Sequence, residues 1–282
     1  MPESRSEAGS PPVVHIGPPT RRWRGLGVRV LLEYHELLYF LVLRVVKLRY
    51  KQTAFGAAWA VLQPLLAMVA FTLIFGRLAR LPSDGLPYAV FAYTALVPWT
   101  YFANALTQAS NSLVDNERML TKVYFPRALL PLASVIAGLL DLVIAVVVLF
   151  GLMIAYRVPV SANVWALPIF VLLGAVAAFA VGLWLAALNV RYRDVRHAVP
   201  FLIQFWLFVT PVAYSSGLVP ARWRLWYGLN PMVGVVDGFR WSLLGRPEVP
   251  GSAAVSYLMV LALLLGGLSY FRRTERTFAD II

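Results

Sequence analysis

The sequence has little charge and no cysteine, and both absences limit what this chain can be. Only 13% of its 282 residues are Asp, Glu, Lys or Arg, whereas about a quarter is usual in a soluble domain. Without cysteine there is neither a disulfide framework nor a thiolate metal site. Hydrophobic residues make up 60% of the chain, which leaves little for a separate soluble catalytic domain.

The motifs of several enzyme classes are also missing from the sequence. No GxxxxGK(S/T) loop occurs, because none of the lysines follows a glycine, so the chain does not cradle ATP in that way. The histidines His15, His35 and His197 are far apart and form no HExxH motif, which gives metal catalysis no support. Neither GxGxxG nor GxSxG occurs. We therefore expect no catalytic residue, no cofactor and no metal site.

Six long stretches are almost free of charge: 52–76, 85–114, 128–156, 158–190, 197–221 and 249–271, interrupted only by Asp141 and His197. A helix needs about 20 apolar residues to cross the hydrocarbon layer of a membrane. Backbone amides in lipid must be paired within their own segment, so each stretch is predicted to be helical. The predicted fold is an all-α integral membrane protein with six spans, at approximately 53–76, 86–112, 128–156, 163–189, 197–217 and 250–271.

The basic residues indicate how the chain is oriented. If both termini are cytoplasmic, 18 of the 25 Lys and Arg residues face the cytoplasm, as the positive-inside rule favours. We attribute the net charge of +12 to this topology and expect no nucleic-acid partner. The predicted parts are a disordered polar tail at 1–24, an amphipathic interface helix at 25–51, a permease domain at 52–272 and a cytoplasmic tail at 273–282.

The interface helix is predicted from the spacing of its charged residues, which fall within one sector of a helical wheel. Such a helix lies along the inner membrane surface. It is either a simple anchor on anionic lipid or a helix whose polar face also contacts a cytoplasmic partner. The candidate contact residues are Arg44, Lys47, Arg49 and Lys51.

A polar segment between the second and third spans has the start and stop signals of a short helix at about 113–125. Ser112 and Asp115 resemble a capping box, Lys122 near the end suits the helix dipole, and Pro126 stops the helix. A plain connecting loop does not require these signals. By contrast, the short basic loop 189–197 is interpreted mainly as a determinant of topology.

The segment at about 218–247 is too broken to cross a membrane, because its uncharged run Leu225–Val236 is short and contains Gly and Pro. It is predicted to form two short re-entrant or interfacial helices. Its aromatic residues belong either to the belt at the headgroup level or to a gate. A second aromatic group belongs either to the core or to a channel that contacts sugars. The candidate channel or gate residues are Phe91, Tyr93, Trp99, Trp223, Trp226 and Tyr227.

Asp141 is an acid in the middle of a predicted span. Intramembrane carboxylates are costly, and they face the bundle interior as packing elements or as parts of a proton relay. We favour packing, because we find no second buried acid or base in the other spans.

Four motifs resemble those of type-2 ATP-binding-cassette exporter permeases of the polysaccharide branch. They are LRYKQTAFGAAWAVLQPL at Leu48–Leu65, TKVYFPRALLPL at Thr121–Leu132, LNVRYRDVRHAVPF at Leu188–Phe201 and YFRRTERTFAD at Tyr270–Asp280. The resemblance implies six spans, an interface helix, a coupling helix and two re-entrant helices. It also implies a homodimer bound to two copies of a separate ATPase.

The substrates implied by this resemblance are lipid-linked polysaccharides such as O antigens, capsules and teichoic acids, exported across the bacterial cytoplasmic membrane. The coupling helix is then the contact with the ATPase, with Asp115, Asn116, Glu117, Leu120, Lys122 and Tyr124 as candidates. Other hypotheses stay open: a permease for a drug or small lipid, a proton-coupled carrier that uses Asp141, or a membrane glycosyltransferase that uses the carboxylates of Asp115 and Glu117. The sequence does not identify the polysaccharide, its lipid carrier or the type of bacterium.

Overall fold

The computed structural model describes residues 32–51, 58–122, 125–245 and 251–275. The chain divides into a short unit, Met1–His35, of which only residues 32–35 are described, and a large unit, Glu36–Ile282. The predicted tail at 1–24, most of the tail at 273–282 and Tyr124 lie outside the described residues. Those that are described form helices and turns, without a β-strand.

The described helices vary in length from one turn to seven. They are α1 His35–Lys51, α2 Ala58–Phe71, α3 Tyr88–Asn111, α4 Glu117–Leu120, α5 Leu129–Ala155, α6 Leu167–Arg191, α7 Val195–Val209, α8 Arg224–Gly228, α9 Pro231–Leu244 and α10 Gly251–Thr274. A π-helical segment, Thr72–Leu78, continues α2. Short 3₁₀ turns precede α4, α6 and α8, at Val114–Asn116, Ala162–Ala166 and Ala221–Trp223, and another lies at Ser216–Leu218.

Four helical segments are long and apolar enough to cross a membrane. They are Val61–Leu78, Leu129–Ala155, Ala162–Arg191 and Ala253–Thr274. These confirm an all-helical membrane protein. Of the two other predicted spans, α3 has 24 residues but includes Thr, Gln and Asn side chains. Helix α7 has 15 residues, a length of about 22 Å at 1.5 Å per residue.

Helix α3 lies at the centre of the fold and packs against α2, α5, α6, α7 and α9. Its largest buried side chains include Tyr93, Phe102 and Leu106, each at most 1% exposed. Phe102 meets the ring of Trp206 on α7 edge to face, with the ring centroids 5.2 Å apart. Aromatic pairs prefer this geometry, and it fixes α7 against the centre of the bundle.

Contacts between loops place the helix termini at two ends of the fold, which we name the α4 end and the α9 end. At the α4 end, the Asn189 side chain donates to the Ser110 carbonyl at 2.9 Å, and the backbone N of Arg127 donates to the Glu275 carboxylate at 3.0 Å. At the α9 end, the Tyr88 hydroxyl donates to the Ala213 carbonyl at 2.6 Å. The Ser161 backbone N donates to the Leu243 carbonyl at 2.9 Å, which places the connection between α5 and α6 beside α9. Helices α3 and α6 therefore run between the two ends, and α7 ends at the α9 end.

The coupling segment is helical but begins differently from the predicted capping box. The Ser112 hydroxyl donates to the Ala109 carbonyl at 2.7 Å and so belongs to the last turn of α3, while α4 has no side-chain cap. Serine can bond backward to a preceding carbonyl as readily as forward to an amide, and the capping-box prediction was wrong for this reason. Helix α4 ends at Leu120, and α7 ends at Val209, both earlier than expected.

Candidate functional site

The predicted coupling residues lie on an exposed surface at the α4 end. Asp115, Glu117 and Lys122 are exposed, and Leu120 is half-buried. Leu113, just before them, is fully buried and anchors the segment to the bundle. The segment is thus attached to the bundle through Leu113, while the charged side chains and that of Leu120 lie on its outer surface.

Two other parts of the chain meet this coupling segment. The Arg196 guanidinium lies 3.5 Å from the Asp115 carboxylate, and the Arg44 guanidinium donates to the Met119 sulfur at 3.7 Å. Helix α1, α4 and the start of α7 thus form one continuous surface. The Arg196 and Asp115 side chains are 55% and 53% exposed, so their pairing adds little stability and leaves both able to bind another molecule. We did not expect Arg196 here, because we had assigned its loop to topology.

The candidate residues of α1 divide into two groups. Arg44, Lys47 and Lys51 are exposed, whereas Arg49 is half-buried. The Arg49 guanidinium donates to the Asp141 carboxylate on α5 and to the side-chain oxygen of Gln108 on α3. The end of α1 is therefore bonded to two helices of the bundle.

Asp141 accepts a second hydrogen bond, from the Tyr50 hydroxyl. Its side chain is 17% exposed, and both of its carboxylate oxygens have partners from α1. A carboxylate held in this way is suited to fixing a helix in place, which favours the packing role over a proton relay.

A third link at the α4 end joins the segment before α5 to the end of α10. Besides its backbone contact, Arg127 donates from its guanidinium to the Glu275 carbonyl at 2.5 Å. Burial raises the pKa of Glu275, while the hydrogen bond and charge of Arg127 lower it. The segment before α5 is therefore fixed to the end of the last helix.

The aromatic residues of the predicted gate lie at the α9 end. Trp223 and Trp226 are 53% and 68% exposed. Tyr227 is half-buried, and its hydroxyl donates to the Tyr214 hydroxyl at 3.1 Å. The two tryptophans are therefore available to contact another molecule, and Tyr227 holds α8 to the turn that follows α7.

The other three aromatic candidates do not face a passage. Phe91, Tyr93 and Trp99 are at most 4% exposed, because α3 is surrounded by other helices. Side chains without exposed surface contact no polymer in this conformation. Their burial within one copy favours core packing, the alternative that the sequence had left open.

Helix α9 contains two buried charged residues that the sequence analysis missed. Asp237 and Arg240 are 7% and 4% exposed, and they lie three residues apart on a helix whose other residues are largely apolar. We had assigned Arg240 only to the re-entrant or interfacial segment at about 218–247. An opposite charge pair at helical spacing within an apolar segment was the signal that could have identified them.

Comparison with known proteins identifies the family of this chain. The sequence profile described as ABC-2 type transporter matches residues 36–244. The chain belongs to the ABC-2 type transporter family. The match begins in α1 and ends with α9, so it includes the coupling segment and both short helices before α10.

Individual relatives of this ABC-2 transporter chain cover most of its length. The O-antigen export system permease protein RfbA of Myxococcus xanthus is 30% identical over 260 residues, which are 90% of this chain and 98% of the relative. A Klebsiella pneumoniae protein of the same name is 25% identical and covers 88% and 95%. The polysialic acid transport protein KpsM of Escherichia coli is 22% identical and covers 83% and 92%.

Family membership confirms that the chain is a transport permease of the type-2 group and not an enzyme. ABC-2 permeases are the membrane subunits of transporters that work with an ATP-binding subunit. The apolar helices are those of a multi-pass membrane protein.

Proposed function

We propose that this chain is the transmembrane permease subunit of an ATP-driven exporter that moves lipid-linked polysaccharide across the bacterial cytoplasmic membrane. The observation that supports it most strongly is the similarity to an O-antigen export permease over 98% of that relative's length. A similarity of this extent includes the loops at both ends of the fold, and these are the parts that would contact the ATPase and the substrate.

We also propose six spans: α2, α3, α5, α6, α7 and α10. This is supported by the contacts that place the start of α3 beside the turn after α7 and the end of α3 beside the end of α6, and by the four segments long and apolar enough to cross a membrane. Helices α8 and α9 then enter the membrane from outside and return. Helix α9 is almost entirely buried within the protein, the condition under which a short helix and the loops flanking it are tolerated at membrane depth.

The α4 end is the cytoplasmic end in this proposal, and both termini lie on that side. The segments there contain Arg118, Lys122, Arg191, Arg193, Arg196, Arg272 and Arg273. An excess of basic residues in short loops marks the cytoplasmic side. The site of membrane insertion is the bacterial inner membrane.

The working unit in this proposal is a homodimer with its passage between the two copies. The centre of a single copy is filled by α3, which leaves no room there for a polymer. Large apolar side chains of α2 and α7 face outward, among them Trp59, Leu66, Phe201 and Phe205, each at least 56% exposed. These surfaces are candidates for the contact between copies, with membrane lipid covering the remainder.

Two ATPase copies bind the coupling surfaces of the dimer. Asp115, Glu117 and Leu120 contact the ATPase, and α4 and α1 pass its movement into the bundle. The Arg49 contacts join α1 to α3 and α5, and the Arg127 contacts join the segment before α5 to the end of α10. ATP then acts by shifting the balance between two arrangements of these helices.

The substrate class is tested in cells from which the gene has been deleted. We expect lipid-linked polysaccharide to accumulate on the cytoplasmic leaflet and to disappear from the cell surface, with both effects reversed by the wild-type gene. An unchanged surface polysaccharide would overturn the proposal. Mass spectrometry of lipids bound to the purified complex separates this function from export of a drug or small lipid, because only the former predicts a bound glycolipid.

A further inference from the structure

The guanidinium of Arg240 is buried at the α9 end and binds the turn that follows α7. It donates to the Val212 carbonyl at 3.0 Å and to the Tyr214 carbonyl at 3.2 Å. Its central carbon lies 3.7 Å from the centroid of the Phe91 ring on α3. One side chain of α9 therefore holds both the turn and the start of α3.

A buried charge of this kind needs compensation, because an unpaired charge away from water is costly. Asp237 lies three residues earlier on the same helix and supplies the opposite charge. Both side chains are almost fully buried, so each is the nearest charge available to the other within α9. The guanidinium stacked on an aromatic ring gains a cation–π interaction.

The turn at 210–216 is held by side chains of other segments, including Tyr227, which donates to the Tyr214 hydroxyl, and Asn230, which donates to the Thr210 hydroxyl. Three successive carbonyls, those of Val212, Ala213 and Tyr214, accept hydrogen bonds from Arg240 or from the Tyr88 hydroxyl. Val212 and Ala213 are buried, at 0% and 9% exposure. A segment fixed by a few side-chain contacts can open locally without unfolding the helices around it.

We propose that Arg240 is a positioning residue that latches the turn at 210–216 over the outer end of the bundle, and that transport requires release of this turn. The inference rests on the proposed function, since it identifies the moving part of the outer gate. Arg240 touches no substrate in this account, and it acts through the turn. Asp237 lies on the same helix as Arg240, so its opposite charge stays near the guanidinium whether the turn is closed or open.

Accessibility of a single cysteine tests the latch directly, because the chain has no cysteine of its own. Ala213→Cys places a small thiol in the buried turn, and a membrane-impermeant maleimide reports its exposure in the complex with the co-purified ATPase. We expect little labelling without nucleotide and more during ATP turnover. Trp165→Cys, at a side chain that is 70% exposed near the same end, should be labelled equally in every state and controls for protein amount.

Two variants in the Ala213→Cys background separate the latch from a general loss of packing. Arg240→Lys keeps the charge but loses the fork that binds two carbonyls, and Tyr88→Phe removes a single hydroxyl from the same turn. Each should raise nucleotide-free labelling, by about tenfold for the loss of one or two hydrogen bonds. Export should fall while ATP hydrolysis continues. If the Arg240→Lys variant fails to reach the membrane, the labelling and export of the Tyr88→Phe variant alone test the proposal.

The proposal is overturned if both variants are labelled as slowly as the parent, if ATP does not change the labelling of the parent, or if the turn opens without any change in export. The labelling requires no glycan. If the proposed substrate class is wrong, the parent protein will export no glycan, but its labelling pattern will be unchanged.

Discussion

Arg49 and Asp141 form an ion pair that joins parts of the chain 92 residues apart. The first lies at the end of α1 and the second near the middle of α5. Since the same guanidinium also binds Gln108 on α3, movement of α1 cannot leave the bundle undisturbed. This contact gives the interface helix a direct mechanical connection to the spans.

Breaking this pair from one side should destabilise the protein more than removing both charges. Arg49→Met leaves a partly buried carboxylate unpaired, and Asp141→Asn leaves the guanidinium without its counter-charge. Both groups retain some solvent exposure, at 21% and 17%, so we expect a loss of about 1–3 kcal/mol for each single variant. The double variant should recover part of that loss.

The measurement is thermal or denaturant unfolding of the purified permease in detergent, supplemented by export in cells. Lys47→Met removes an exposed charge from the same helix and should leave the unfolding midpoint unchanged. Strictly additive effects of the two single variants would show that Arg49 and Asp141 are not coupled.

The coupling surface predicts a separation of ATP hydrolysis from export. Glu117→Ala and Leu120→Ala alter the outward side chains of α4, so the complex should still assemble in the membrane and hydrolyse ATP but export at least about tenfold less polymer. The ratio of export to hydrolysis in proteoliposomes measures this. Arg273→Ala, an exposed charge at the same end, serves as the control, and normal export by the α4 variants would remove these residues from the coupling site.

Helix α9 packs too closely against α6 to accept a methyl group at Gly238. A Cβ added there would overlap the ring of Phe170. Gly238→Ala should therefore cost about 1–3 kcal/mol through overpacking and lower the yield of folded protein. Gly151→Ala is the matched control, because a Cβ there meets nothing within 4 Å. Equal stability of the two variants, measured by unfolding in detergent, would contradict the close packing of α9.

The exposed tryptophans at the α9 end should affect export more than stability. Replacing Trp223 and Trp226 by Ala removes rings that are more than half exposed, so the unfolding midpoint should change little. If these rings guide the polymer, export should fall severalfold, because the rings supply large apolar faces against which sugars can pack. Trp165→Ala removes another exposed ring near this end. An equal loss of export from this variant would indicate that all three tryptophans are belt residues and that none guides the polymer.

The sequence predicted the parts of the fold that depend on composition and local pattern. Apolar stretches indicated the long helices, and the broken segment before α10 indicated the short helices α8 and α9. These features follow from the length of the hydrocarbon layer and from glycine and proline. They do not depend on which helices are neighbours.

The sequence did not predict contacts that tertiary packing creates. Nothing in the local pattern connects Arg49 to Asp141 or Arg240 to the turn after α7, because each contact joins distant segments. The burial of Phe91 and Tyr93 was missed for a related reason: an aromatic residue on an apolar helix suits a core and a channel equally well. Ser112 shows the same ambiguity on a smaller scale, since its hydroxyl can bond in either direction along the chain.

The central claim is that this chain provides a passage and takes its energy from a second polypeptide. It is tested most directly by reconstituting the purified permease in liposomes with a lipid-linked polysaccharide, with and without the partner ATPase. We predict that polymer crosses the bilayer only when both proteins and ATP are present, and that the permease alone neither moves polymer nor hydrolyses ATP. Passage of polymer through liposomes that contain the permease alone would contradict the account.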